Sequence, residues 1–164
     1  ILNIITCTAF PFMPIQITLI DLAIEGYTSF FLSFEPNGKQ IKEKFLKSVL
    51  KNSLPYAIVI IINIIILYLI APALNIKLYE MTTIMYYMIG LTSILAVIRV
   101  CRPFNKLRLF LCTTTAIGFF VAAILFRSIL HLSNLGTQEI IVFLVMAILS
   151  IVVILIKNYL MRAK

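Results

Sequence analysis

Residues Asn52 to Ile76 read NSLPYAIVIIINIIILYLIAPALNI, a stretch without a single charged side chain. As a helix rising 1.5 Å per residue, it is long enough to cross a hydrocarbon core of about 30 Å. In oil, backbone N–H and C=O groups must be satisfied within the segment, which a helix achieves and a lone strand does not. Working outward, Met81 to Ile98, Leu109 to Phe126 and Ile140 to Ile156 are also uncharged runs, the last only just long enough to span. Pro14 to Phe34 is a fifth apolar segment, interrupted by Asp21 and Glu25. The composition agrees: 62% of the 164 residues are hydrophobic and 12% are charged. A soluble domain has roughly 45–50% and about 25%. Mean hydropathy is +1.10. A soluble globule is excluded, as are collagen-like, linker-like and disordered chains. The expected fold is all-α: a polytopic membrane helical bundle with a partial N-terminal helix followed by five transmembrane helices.

Ile1 to Phe10 is apolar but too short to span alone, and it reads as the end of a helix that begins upstream. It has neither the basic leader nor the cleavage site of a signal peptide. The predicted organisation is a helix end over 1–10, a turn at Pro11 to Pro14, and an ion-site helix over 14–34. A basic cytoplasmic loop over 35–52 and four further helices over 53–164 complete it.

The net charge of +8 could serve nucleic-acid binding or membrane topology. Position decides for topology. All but Lys77 and Arg127 of the basic residues fall into three clusters, Lys39 to Lys51, Arg99 to Arg108 and Lys157 to Lys164, at alternate ends of the predicted crossings. The positive-inside rule places these clusters, and the C-terminus, in the cytoplasm of an integral membrane protein, and the turns near Pro72 and His131 outside. Asn37 to Leu50 alternates Lys with apolar residues and reads as a short amphipathic helix at the membrane surface. Nucleic acid is not an expected partner; the lipid bilayer is. Cys7, Cys101 and Cys112 show no CxxC or Cys/His spacing, so neither a disulfide framework nor a metal knuckle is expected.

Most acidic residues lie at predicted helix ends, but Asp21 and Glu25 lie in the middle of IQITLIDLAIEGYTSFFLSF. A carboxylate at the centre of a membrane helix costs about 2.5–3.5 kcal/mol on insertion scales. Such residues are expected to face a polar cavity or to bind a cation. The i, i+4 spacing puts both on one face, about 6 Å apart along the axis. Two carboxylates so placed repel unless a cation bridges them or one takes up a proton, the property a cation-for-proton exchange site needs. Gly26, Thr28 and Ser29 follow as weak helix formers, making local unwinding and hydroxyl ligands plausible. Asp21 and Glu25 are the candidate metal ligands. Pairing of the two with neighbouring helices in a buried polar network is the plainer alternative. Thr82, Tyr86 and Ser93 share one face of their helix near Gly90 and read first as helix-packing surface. Asn63 and Ser150 have the same reading, and His131 reads as a solvated loop residue. No Gly-rich phosphate loop, nucleophile elbow or HExxH occurs, so no catalytic or cofactor-binding residue is assigned.

The segment PIQITLIDLAIEGYTSFFLSFEP, Pro14 to Pro36, resembles the sixth transmembrane helix of P-type cation-transporting ATPases. Pro14, Gln16, Leu22, Gly26, Leu32, Phe34 and Pro36 match, and Asp21 and Glu25 fall on the two ligand positions. The resemblance implies that the preceding half-helix is the end of helix five and that the later segments are helices seven to ten. It implies a parent that hydrolyses ATP through an aspartyl-phosphate, with magnesium as cofactor, in cytoplasmic domains outside this chain. The missing N-terminal helices of that parent would supply further ligands for a divalent transported cation, calcium first and magnesium second. Asp21 stands where calcium pumps usually have Asn, and Ile24 stands where they have a Thr ligand. The pattern is closer to a bacterial branch, which implies the bacterial plasma membrane. The competing expectation is a complete, non-enzymatic ion- or proton-coupled carrier or channel subunit.

Overall fold

The computed structural model describes residues 12–35 and 45–162. The expected helix end over 1–10 and the middle of the basic loop lie outside the described residues. Five helices are long and apolar enough to cross a membrane among those described. They are α1 (Pro14–Ser33), α2 (Phe45–Ile70), α3 (Leu78–Val100), α4 (Lys106–Leu125) and α5 (Thr137–Arg162). Pro14 opens α1, where its fixed φ suits the first turn and its missing N–H is no loss. The Gln16 side chain then accepts from the Met13 backbone N–H at 3.0 Å and donates to the Leu130 carbonyl at 2.7 Å, tying that end of α1 to the turn after α4. Asn105 caps α4 by accepting from the Lys106 N–H at 2.9 Å.

The turns after α2 and α4 are built alike. Each passes through one residue in the left-handed region, Asn75 (φ 54°) and His131 (φ 51°). Each is closed by a bond reaching back five residues, Ile76 N–H to Ala71 O and Leu132 N–H to Arg127 O, both 3.0 Å. Asn and His are among the side chains that tolerate this region best. Exposed His131 therefore serves as a turn residue.

α3 is the axis of the bundle: half of its span is buried, against 22–28% for the other four helices. On one side it packs with α1 and α4 through Ile20, Ile24, Tyr86, Ile94 and Phe119. On the other it packs with α2 and α5 through Leu67, Ile84, Met85, Met88 and Met146. The closest approach is at Gly90, where an added Cβ would stand 2.2 Å from the Phe119 ring. Without a solvent-driven hydrophobic force between membrane helices, small residues and interhelical hydrogen bonds hold them together. Asn63 Nδ2 donates to Ser150 Oγ at 2.8 Å between α2 and α5, and the Thr28 and Thr115 hydroxyls lie 3.2 Å apart between α1 and α4. The large side chains left exposed are mostly Ile, Leu, Val and Phe on the outer faces, as a lipid-facing surface requires.

Apart from Lys77 and Arg127, the described basic residues gather at one end. Arg99 near the end of α3 donates to Asn52 of α2 (3.1 Å) and Asn158 of α5 (2.7 Å). Arg108 at the start of α4 pairs with Glu35 just beyond α1 at 2.6 Å. The opposite end is tied by the Thr83 and Ser133 hydroxyls at 3.0 Å and by Gln138 donating to the Leu74 carbonyl at 2.8 Å. Two details differ from the sequence expectation. α2 begins at Phe45, inside the segment read as loop, so the second half of the amphipathic stretch continues directly into a spanning helix. Tyr56, whose place near the end of an apolar run predicts an interfacial anchor, is buried against α5, with the Lys157 ammonium 5.5 Å from its ring centre.

Candidate cation site

The two acidic residues of α1 fall in a break of helical regularity. Pro14–Ile20 and Tyr27–Ser33 are α-helical, and between them Asp21–Gly26 forms a π-helical turn. The backbone does not unwind here; it widens. Gly26 explains why this position can do so. A Cβ built on it would lie 3.1 Å from the Asp21 carbonyl oxygen, tighter than side chains normally tolerate. Such turns bonded from i to i+5 are rare and concentrate at functional positions.

The wide turn also sets which faces are buried. In a regular α-helix a row at spacing four drifts by about 40° per step. Gln16, Ile20, Ile24 and Thr28 nevertheless all remain buried, because the wider turn takes back part of that drift. This row locks α1 to the rest of the bundle and turns the adjacent positions outward. Asp21 and Glu25 are both exposed in this chain, as is Ser29. Neither carboxylate forms an ion pair with another described residue; Glu35 takes Arg108. Asp21 and Glu25 are thus left free to meet something else.

Glu25 opens onto a cavity of about 710 Å³ between α1, α2 and α3. From α1 the cavity takes Thr28 and Ser29, from α2 Asn52, Ser53 and Tyr56, and from α3 Thr92, Ser93 and Arg99. Apart from Arg99 the polar lining is mostly oxygen, the ligand type that hard cations such as calcium and magnesium prefer. Four of those oxygens are already engaged: Thr28 with Thr115, Asn52 with Arg99, and Ser53 and Thr92, which donate to the Val49 and Met88 carbonyls at 3.0 and 2.8 Å. Among the described residues no group of three His, Cys, Asp or Glu side chains comes together.

Of the stripe read as packing surface, Tyr86 does pack, fully buried against Phe119, and Thr82 donates to the Tyr79 carbonyl. Ser93 instead faces the cavity. Asn52, Thr92 and Arg99 were not picked out by the sequence reading as cavity residues. Arg99 counted only as a member of a basic cluster, and helical spacing from Ser93 was the one available signal.

This chain is 32% identical over 153 residues to a protein of Streptococcus pneumoniae serotype 4 named "Probable cation-transporting ATPase exp7". The match covers 92% of this chain and 20% of that protein, so the chain spans about a fifth of its curated relative. No family model matches the chain, and no solved structure does.

Proposed function

We infer that the chain is part of the membrane domain of a P-type cation-transporting ATPase, and we propose that Asp21 and Glu25 are the ligands it contributes to the transport site. One observation carries the proposal: two carboxylates without ionic partners on a widened turn in the middle of an apolar helix, one of them opening onto an oxygen-lined cavity. Left alone, such a pair is costly in a membrane. A divalent cation offsets both charges at once, and a proton on either carboxylate relieves the repulsion when the cation leaves. Alternation between these two fillings gives a site that loads and empties. Calcium is the first candidate and magnesium the second, on the hardness of the oxygen donors.

The energy source lies elsewhere in the parent. This chain has no phosphate-binding loop, so ATP, magnesium and the phosphorylated aspartate belong to domains outside it. Its role is to hold ligands whose geometry those domains change through the helix ends. The parent is proposed to reside in the bacterial plasma membrane, with the basic end of the bundle, and hence the C-terminus, in the cytoplasm.

The test uses the purified full-length protein. ATPase activity is expected to be stimulated by calcium or magnesium titrated separately over a chelated background, with enough Mg–ATP kept constant for turnover. Asp21→Asn and Glu25→Gln are each expected to remove the stimulation while leaving the protein folded and monodisperse. Stimulation of wild-type size in both variants would place the transport site elsewhere.

A further inference from the structure

At the basic end, where α2, α3 and α5 meet, positive charge is held without a counter-charge. The Arg99 guanidinium is fixed by two side-chain carbonyls, Asn158 Oδ1 at 2.7 Å and Asn52 Oδ1 at 3.1 Å, neither of which neutralises it. Lys157 lies near enough for the Arg99 charge to act on it. Its ammonium nitrogen sits over the Tyr56 ring, shielded from solvent, with no hydrogen-bond partner. Tyr56 is 7% exposed, lines the same cavity as Arg99, and its hydroxyl also lacks a partner. Among the described residues no carboxylate pairs with either cation.

Two cations and an orphan hydroxyl are unfavourable together unless an anion joins them, because a buried ammonium with idle donors forfeits its hydration for nothing. The anion must accept several hydrogen bonds from different directions, as a phosphate does from Arg, Lys and a hydroxyl. Its place is the rim of an apolar bundle. Val100, Val153 and Ile156, within four residues of Arg99 or Lys157 in the chain, expose apolar surface that acyl chains could cover. Basic pockets between membrane helices bind lipid headgroups in this way.

We propose that Arg99, Lys157 and the Tyr56 hydroxyl form a binding site for a phosphate group at the membrane surface, of the kind an anionic phospholipid presents. Arg99 and Tyr56 line the cavity onto which Glu25 also opens, and an anion held at its basic end would not depend on which cation is moved.

The experiment measures lipid retained by the full-length protein in detergent by native mass spectrometry. The probes are phosphatidylglycerol and diacylglycerol with the same acyl chains. Wild-type protein is expected to retain phosphatidylglycerol roughly thirtyfold better, on about 1 kcal/mol for each of the two basic residues. Lys157→Gln, which removes one of the two charges, and Tyr56→Phe, which keeps the ring, are each expected to lower the ratio roughly fivefold. Arg99→Gln also loosens the contact with α2 and α5, so the other two variants decide the matter. A ten-millimolar addition of inorganic phosphate separates the sources: retained lipid identifies the headgroup as occupant, and displaced lipid identifies free phosphate, either of which supports a phosphate site. Equal retention of both lipids by wild type, or an unchanged ratio in Lys157→Gln and Tyr56→Phe, overturns the proposal. It is overturned equally if Glu43→Gln lowers thermal stability as Lys157→Gln does while lipid has no effect, since the counter-charge is then the chain's own.

Discussion

Asp21 and Glu25 are energetically opposed to their surroundings, and Gly26 beside them is opposed to the helix. At about 2.5–3.5 kcal/mol each, two mid-membrane carboxylates weigh as much as a large share of a small protein's stability. Gly26 adds a helix-propensity cost of about 1 kcal/mol relative to Ala. Its use is close approach: the missing Cβ leaves room for the Asp21 carbonyl. Gly26→Ala is therefore expected to disturb the wide turn and shift the two carboxylates relative to each other. The full-length protein should fold, and its apparent affinity for the stimulating cation should fall roughly tenfold, about 1.4 kcal/mol. A titration curve superimposable on wild type would show that the turn does not set the ligand geometry.

Between elements, contact is decided by where backbones can approach. α3 and α4 meet at Gly90, with the Phe119 ring filling the space a side chain would need. Gly90→Ala forces that ring, itself fully buried, to move. Overpacking of this kind costs about 1–3 kcal/mol. Thermal unfolding in detergent should show the loss, and adding Phe119→Leu should recover part of it; a double variant no better than the single would argue against this contact as the cause. The Asn63–Ser150 bond between α2 and α5 is a smaller effect. Interhelical hydrogen bonds in membranes average about 0.6 kcal/mol, because the separated helices also find partners. Asn63→Ala is accordingly expected to lower stability by about that amount, and never by more than about 1.7 kcal/mol. The partnership is not visible in the sequence: each residue taken alone is merely a polar side chain in an apolar run.

For the molecule as a whole, polar ties at both ends join helices that are far apart in the chain. Arg99 with Asn52 and Asn158 joins the basic ends of α2, α3 and α5, and Arg108 with Glu35 joins those of α1 and α4. A cysteine placed at exposed Arg102 in a cysteine-free full-length protein is expected to react with a membrane-impermeant maleimide only when the cytoplasmic side is accessible; one at exposed His131 should react from outside. Reversed labelling would invert the proposed topology. The cation site is a different matter at this scale. Carboxylates that are exposed in this chain and supplied with no third acidic or His ligand among the described residues are expected to bind a cation weakly. The isolated 164-residue chain is expected to be helical in detergent and to show no micromolar calcium or magnesium affinity by calorimetry. Micromolar binding by it alone would mean that the shell is complete without the rest of the parent.

The number of crossings, their approximate limits and the oddness of Asp21 and Glu25 were set by the sequence alone, because the membrane imposes a one-dimensional rule. An uncharged run of sufficient length must span, and an ionised side chain inside it must have a reason. The gathering of Arg99, Arg108 and Lys157 at one end followed from the same alternation. Only the tertiary structure decided that the backbone around Asp21 widens rather than unwinds, since that depends on keeping Gln16, Ile20, Ile24 and Thr28 in one buried row against neighbouring helices. It alone joined Glu25 to a cavity with Ser93 and Arg99, and left Tyr56 and Lys157 without hydrogen-bond partners in the same corner. Such pairings join residues far apart in the chain, and hydropathy is nearly the same on every face of these helices. Close packing, and not the order of residues, chose which faces meet.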